Sequence, residues 1–135
     1  MEEPAFSIGF TGDAAALPLL AGWTEATLQS LALAPRQAYA LELCLEEVVA
    51  NILLHGQLPG RAVQARVSIK INPLRLIVED DGPGFDPTLQ PETEMAADLE
   101  SAGIGGRGLA LVRRFSVALG YRREAGWNRV EIGLG

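Results

Sequence analysis

The apolar positions of this chain change their period along its length, and each period predicts an element. Phe6, Ile8 and Phe10 alternate weakly within Ala5 to Phe10 and predict an edge strand. Thr11-Gly12-Asp13 interrupts it, with Asp13 as the expected cap of the next helix. From Ala14 to Leu31, Leu17, Leu20, Trp23, Leu28 and Leu31 fit an amphipathic helix; Pro18 falls in its first turns, where proline does least harm. A second helix starts at Ala34-Pro35, with proline in the favoured first position. Its Leu41, Leu45, Val48 and Ile52 recur at helical spacing, the strongest periodic signal in the chain, and Gly56 ends it.

The second half reads mostly in twos. Ala62 to Ile71 places Val63, Ala65, Val67, Ile69 and Ile71 on one face of a strand. Asn72-Pro73 turns the chain, and Leu74 to Glu79 returns with Leu74, Leu76 and Val78 on one face, predicting an antiparallel hairpin. Asp80 to Gly106 is rich in glycine and proline and poor in periodicity, and a loop of that size in a compact domain is usually functional. Leu109 to Phe115 predicts a helix, and Val117 to Arg122 with Trp127 to Leu134 a closing hairpin around Glu124-Ala125-Gly126. With no repeat or linker evident, residues 1–135 are expected to form one domain. The order implies an α+β, two-layer sandwich, its helices on one face of a mixed, mainly antiparallel sheet.

Composition narrows the function. The 135 residues are 48% hydrophobic and 21% charged, a globular balance. Their net charge of −6 argues against non-specific binding to nucleic acid or to an anionic membrane, both of which need positive charge. Cys44 and His55 are the only residues of their types, so neither a disulfide framework nor a zinc site is expected within one chain. Met1-Glu2-Glu3-Pro4 lacks the start of a signal peptide, and no apolar run approaches the ~20 residues of a membrane span, so a cytoplasmic protein is expected.

Three segments carry candidate chemistry. Glu47, Asn51 and His55 lie four apart on the second helix and form a polar stripe beside its apolar one. Such a stripe is either a solvated edge or a set of groups awaiting a ligand, since an unsatisfied buried polar group costs about 1–3 kcal/mol. Asp80-Asp81-Gly82-Pro83-Gly84-Phe85-Asp86 follows a strand directly. Its acid can accept a hydrogen bond from an amino group and its glycines allow close backbone approach, although Asp-Gly turns are common. Gly103-Ile104-Gly105-Gly106-Arg107-Gly108-Leu109 leads into a helix, where bare amides make an anion site or simply a flexible start. No Gly-Lys-Ser/Thr follows, and the Val-Ala-Ile-Lys and His-Arg-Asp motifs of eukaryotic-type protein kinases are absent.

Taken in order, the three segments resemble the boxes of the GHKL, or Bergerat-fold, ATPases. Glu47, Asn51, His55 and Gly56 look like the N box, Asp80, Gly82 and Gly84 match the G1 box, and Gly106, Arg107, Gly108 and Leu109 look like the G2 box. Tyr121-Arg122-Arg123 with Gly126, Trp127 and Asn128 resembles the end of the small anti-sigma-factor serine/threonine kinases of that superfamily. The resemblance implies that Glu47 is the general base, with Glu46 the weaker candidate about 100° round the helix. It implies ATP and Mg2+ as cofactors, Asn51 as metal ligand and Asp80 as the acceptor for the adenine amine. Gly82 and Gly84 would pass beneath the base; Gly106, Gly108 and the start at Leu109 would face the phosphates. Arg107 would reach a phosphate or the substrate, or simply lie exposed, and His55 is read as structural. Phe85 to Gly105 would be a lid whose acidic residues suit a solvated, mobile loop when empty.

The implied reaction moves the γ-phosphoryl group of ATP to a serine or threonine of a STAS-type anti-anti-sigma factor, with a sigma factor as competing partner. Neither direct nucleic-acid contact nor a membrane is implied; homodimers are frequent among such proteins. Ser116-Val117 departs from the Met-Asp often found after the third helix, and Gly133-Leu134-Gly135 from the usual basic finish, which leaves the particular partner open. The alternatives are a non-catalytic, nucleotide-dependent binding switch of the same fold, and a detached histidine-kinase catalytic domain.

Overall fold

The computed structural model describes residues 6–56, 58–84, 86 and 108–135. The elements run β1 (Phe6–Thr11), α1 (Ala16–Ser30), α2 (Pro35–His55), β2 (Gln64–Lys70), β3 (Arg75–Asp80), α3 (Gly108–Phe115), β4 (Ser116–Glu124) and β5 (Trp127–Leu134). The strands form one sheet in the order β1-β2-β3-β5-β4. The expectation of a mixed sheet is corrected: every pairing among the described strands is antiparallel. The reason is an even count of reversals, since α1 and α2 together return the chain to the end of the sheet where β1 finished. The β4–β5 hairpin then sets β5 against β3, with Val78 opposite Val130 and Asp80 opposite Asn128.

The core lies between the helices and one sheet face. On α2 the predicted stripe of Leu41, Leu45, Val48 and Ile52 is buried, and Cys44 and Val49 join it. They meet Val67, Ile69, Leu76, Val78, Val130 and Ile132 of the sheet within one cluster. Burying side chains of this size contributes about 1.5–3 kcal/mol each, so the α2–sheet contact is a main source of stability. Tyr39 of α2 meets Phe115 of α3 edge to face, with centroids 5.6 Å apart at 73°. No helix among the described residues is long and apolar enough to cross a membrane.

Two local readings need correction. Asp13 does not cap α1: its Oδ1 accepts from the Ala15 N–H at 2.9 Å and its carbonyl from Ala16 at 3.1 Å. It closes a turn before the helix, a bond open to any Asp two residues upstream of a free amide. Ile71 lies outside β2 and is 41% exposed, because the turn to β3 begins there.

Between β4 and β5, Ala125 (φ 53°) and Gly126 (φ 83°) form a two-residue turn with both centres left-handed. Glycine adopts that geometry freely, whereas alanine is strained by about 1–2 kcal/mol. Ala125→Asn, which suits this position, is expected to stabilise the protein by roughly 1 kcal/mol, raising the melting midpoint by about 2–6 °C. Thermal unfolding followed by circular dichroism checks this; an unchanged or lower midpoint would show that the turn is not strained.

Candidate functional site

The last turns of α2 and the ends of β3 and β5 enclose a cleft. It is lined by Val48, Asn51, Ile52, His55 and Gly56 of the helix, Val78 and Asp80 of β3, Pro83, and Asn128 and Val130 of β5. Its walls are mostly apolar and its polar groups few; Asn51, Asp80 and Asn128 are buried and His55 is exposed, a make-up suited to a small-molecule site. Asn51, a member of the predicted polar stripe, is only 4% exposed, so the stripe is no solvated edge at this point. Its Nδ2 is shielded from solvent and meets no hydrogen-bond partner among the described residues. The helix carries Asn51 into the cleft because Val48, about one turn earlier, and Ile52, the next residue, anchor the adjoining face on the core.

Asp80 is placed there by the pleat. It follows Leu76 and Val78 on the inward face of β3, where the next apolar residue would stand, and is 8% exposed. Its Oδ1 accepts from the Gly82 N–H at 2.9 Å and from Asn128 Nδ2 at 3.0 Å. Both bonds fall on Oδ1, and Oδ2 takes neither of these donors. Burial raises the carboxyl above its ordinary pKa; Asn128, Gly82 and Arg123 pull it down, and the Asp81 charge adds to the rise. Asp81 itself is engaged elsewhere: its Oδ2 pairs with Arg61 at 2.9 Å and its Oδ1 accepts from the Gln64 N–H at 2.8 Å.

Gly82 is required where it stands. A Cβ there would lie 2.9 Å from Asp80 Oδ1 and 3.1 Å from the Cα of Gly56. The backbones of the glycine bend and of the α2 terminus therefore touch, joining the two sequence segments that carry Asn51 and Asp80.

Glu47 is half-buried one turn before Asn51, about 6 Å along the axis, and is not among the residues lining the cleft. Its charge lies close enough to Cys44 to add to the burial that pushes that thiol up to about 11. Cys44 is fully buried and accordingly unreactive at neutral pH. Gly108 opens α3. Gly106, Arg107, the side chain of Leu109 and the expected lid, apart from Asp86, lie outside the described residues.

The residue that sequence reasoning left without a role is Asn128, 3% exposed at the centre of the site. Its Nδ2 donates to Asp80 Oδ1 and, at 2.9 Å, to the Pro83 carbonyl. Its Oδ1 accepts from Tyr121 Oη at 2.5 Å and from Arg123 Nη1 at 2.9 Å. Arginine can only donate, so the amide orientation is determined. A signal was present: Asn128 precedes Val130 and Ile132 at period two on a core-facing strand, where asparagine is disfavoured unless bonded.

The chain is similar to known proteins. A family model described as a histidine kinase-like ATPase domain matches residues 10–134. The serine/threonine-protein kinase BtrW of Bordetella bronchiseptica is 33% identical over 99 residues, covering 72% of this chain and 70% of that protein. A solved histidine kinase domain from the Erythrobacter litoralis EL346 blue-light activated histidine kinase is similar at 29% identity, with a TM-score of 0.46 over 73% of this chain. This chain covers 44% of the length of that one. With the family match spanning nearly the whole sequence around a cleft that unites Asn51 and Asp80, the chain belongs to the histidine kinase-like ATPase domain family.

Proposed function

We propose that this chain, as a single domain over residues 1–135, is an ATP-dependent serine/threonine-protein kinase of the anti-sigma-factor type. The observation that carries the reading is the pair of buried polar side chains, Asn51 and Asp80, in one cleft, with no partner for Asn51 Nδ2 among the described residues and both donors to Asp80 falling on Oδ1. A ligand offering an amino donor to Asp80 and polar atoms to Asn51 would satisfy both, and adenine with its phosphates does so. The candidate groups follow one another along α2: Gly56 beside the glycine bend, Asn51 one turn earlier, Glu47 one turn earlier still. Base, phosphates and acceptor hydroxyl would lie in that order.

Asn51 could serve Mg2+ with its amide turned: the unpartnered atom is Nδ2, a donor, and the turn would offer Oδ1 to the hard cation, while magnesium takes few protein ligands when phosphates complete its shell. No group of three or more His, Cys, Asp or Glu side chains among the described residues could hold a metal, so Asn51 would hold it together with phosphate oxygens. Bound there, magnesium would neutralise charge on the phosphates. The protein's own share is alignment: Asp80 fixes the base, Asn51 the phosphate end, and Glu47 takes the proton of a serine or threonine hydroxyl on a partner protein. The glycines 106 and 108 would supply amides to the phosphates. The BtrW likeness supports a serine/threonine acceptor, and a STAS-type anti-anti-sigma factor, with a sigma factor competing, is the partner proposed.

A non-catalytic nucleotide switch is the second reading, favoured by the position of Glu47 outside the cleft lining. Incubation with γ-labelled ATP, Mg2+ and a STAS-domain protein encoded beside the gene separates the two. Label on a serine or threonine of that protein is expected; nucleotide-dependent complex formation without label would establish the switch instead.

A further inference from the structure

Three strands bring Asp80, Asn128 and Arg123 into one row, since Asp80 pairs with Asn128 across β3 and β5 and Asn128 with Arg123 across β5 and β4. Arg123 stands at the edge of the sheet beside the closing turn, yet its side chain is not free. Nη1 donates to the Gly82 carbonyl at 3.1 Å and to Asn128 Oδ1 at 2.9 Å. Its stem lies over the bend: a Cβ on Gly84 would sit 3.3 Å from Arg123 Cδ. One guanidinium nitrogen thus holds both the backbone that carries Gly82 and the amide that orients Asp80. Gly82 in turn gives its N–H to Asp80 Oδ1, so Arg123 fixes each of the two donors that occupy that oxygen.

We propose that Arg123 is a positioning residue for base selection: it locks the glycine bend and Asn128 so that Asp80 presents Oδ2 to the amino group of an adenine. This rests on adenine binding at Asp80, the reading given above. Arg123 does not line the cleft, and it acts through Gly82 and Asn128. Tyr121 still holds Asn128 Oδ1 when the arginine is removed, so the effect is graded rather than total.

The test compares ADP with IDP, which has an oxygen where adenine has the amino group. Wild-type protein is expected to bind ADP at least about tenfold more tightly than IDP, as a hydrogen bond to a charged group allows. Arg123→Met keeps the stem against Gly84 but removes the charge and the donors. It is expected to weaken ADP binding about fivefold while changing IDP binding less than about twofold, so the preference shrinks. Arg123→Lys, which restores a cationic donor, is expected to recover most of the preference. Should the methionine variant be unfolded by circular dichroism, Arg123→Gln takes its place with the same expectation. Equal weakening of both nucleotides, or a preference unchanged from wild type, overturns the role of Arg123. Absence of any ADP preference in the wild-type protein instead overturns adenine recognition at Asp80, and the two failures are distinct.

Discussion

Glu47→Gln is expected to lower phosphotransfer to the partner's serine or threonine by about 10²–10⁴-fold, the usual contribution of a positioned general base. The glutamine keeps the shape of the side chain and removes only its ability to take a proton. Because Glu47 lies outside the cleft lining, about a turn of helix from Asn51, ADP affinity should stay within about twofold of wild type. Label transfer at saturating ATP, with calorimetry of ADP binding alongside, checks both halves. Unchanged transfer removes Glu47 from the mechanism, and a parallel loss of ADP affinity makes it a binding residue. Glu46 is the control, since it faces a different groove, between α1 and α2, lined by Leu17, Leu45 and Val49. Glu46→Gln should transfer at the wild-type rate.

The second large effect is at Asp80. Asp80→Asn keeps an oxygen to accept from Gly82 and Asn128 and turns an NH2 toward the cleft in place of an acceptor. A donor would then face the donor on adenine. ADP affinity is expected to fall about 10–100-fold, matching loss of a charged hydrogen bond, while IDP affinity holds or rises. The same substitution should make the empty protein more stable at neutral pH. Burial raises the folded-state pKa of Asp80, so the folded form holds this proton more tightly than the unfolded chain. The stabilisation due to that proton is complete below the unfolded pKa and is lost as pH rises through the folded one. As pH rises through the folded pKa the wild type takes on a charge whose burial costs free energy, and asparagine removes that cost. The melting-point advantage of the variant should shrink as pH falls through the acid range. An advantage constant with pH, or a variant less stable at neutral pH, would contradict a desolvated Asp80.

Such a trade is what a binding site imposes: a charge retained against the interest of the fold because a ligand needs it. Asn51 shows the same pattern, with an amide nitrogen buried beside the core and no partner among the described residues.

These two positions were legible in the sequence because each stands out against a strong local pattern. Asn51 belongs to a polar stripe set directly beside the apolar one that Leu41, Leu45, Val48 and Ile52 define, on a helix that otherwise reads as buried, and Asp80 replaces the next inward residue after Leu76 and Val78. The helix and strand that hold them could be read from periodicity alone, and their bounds moved by a residue or two in the structure. Asn128 was legible only as a polar residue out of place on a core-facing strand and Arg123 not at all, so their membership of the site was not. Their part depends on β5 lying between β3 and β4 and on a register that sets residue 80 opposite 128 and 128 opposite 123. Nothing local in the chain encodes that long-range pairing, and the same limit produced the expectation of a mixed sheet. Asp13 failed for the opposite reason: its local chemistry suits a turn and a helix cap equally, and only the start of α1 at Ala16 decides between them.

Everything proposed for this chain requires one adenine nucleotide in the cleft between α2 and β3. The direct measurement is calorimetric titration of the unmodified protein with Mg-ADP, with two-dimensional NMR of the Asn51 and Asn128 side-chain amides as the nucleotide is added. Saturable binding of one ADP per chain, with both amides shifting together, is the predicted result. No binding at millimolar ADP, or binding that leaves both amides unmoved, would contradict it.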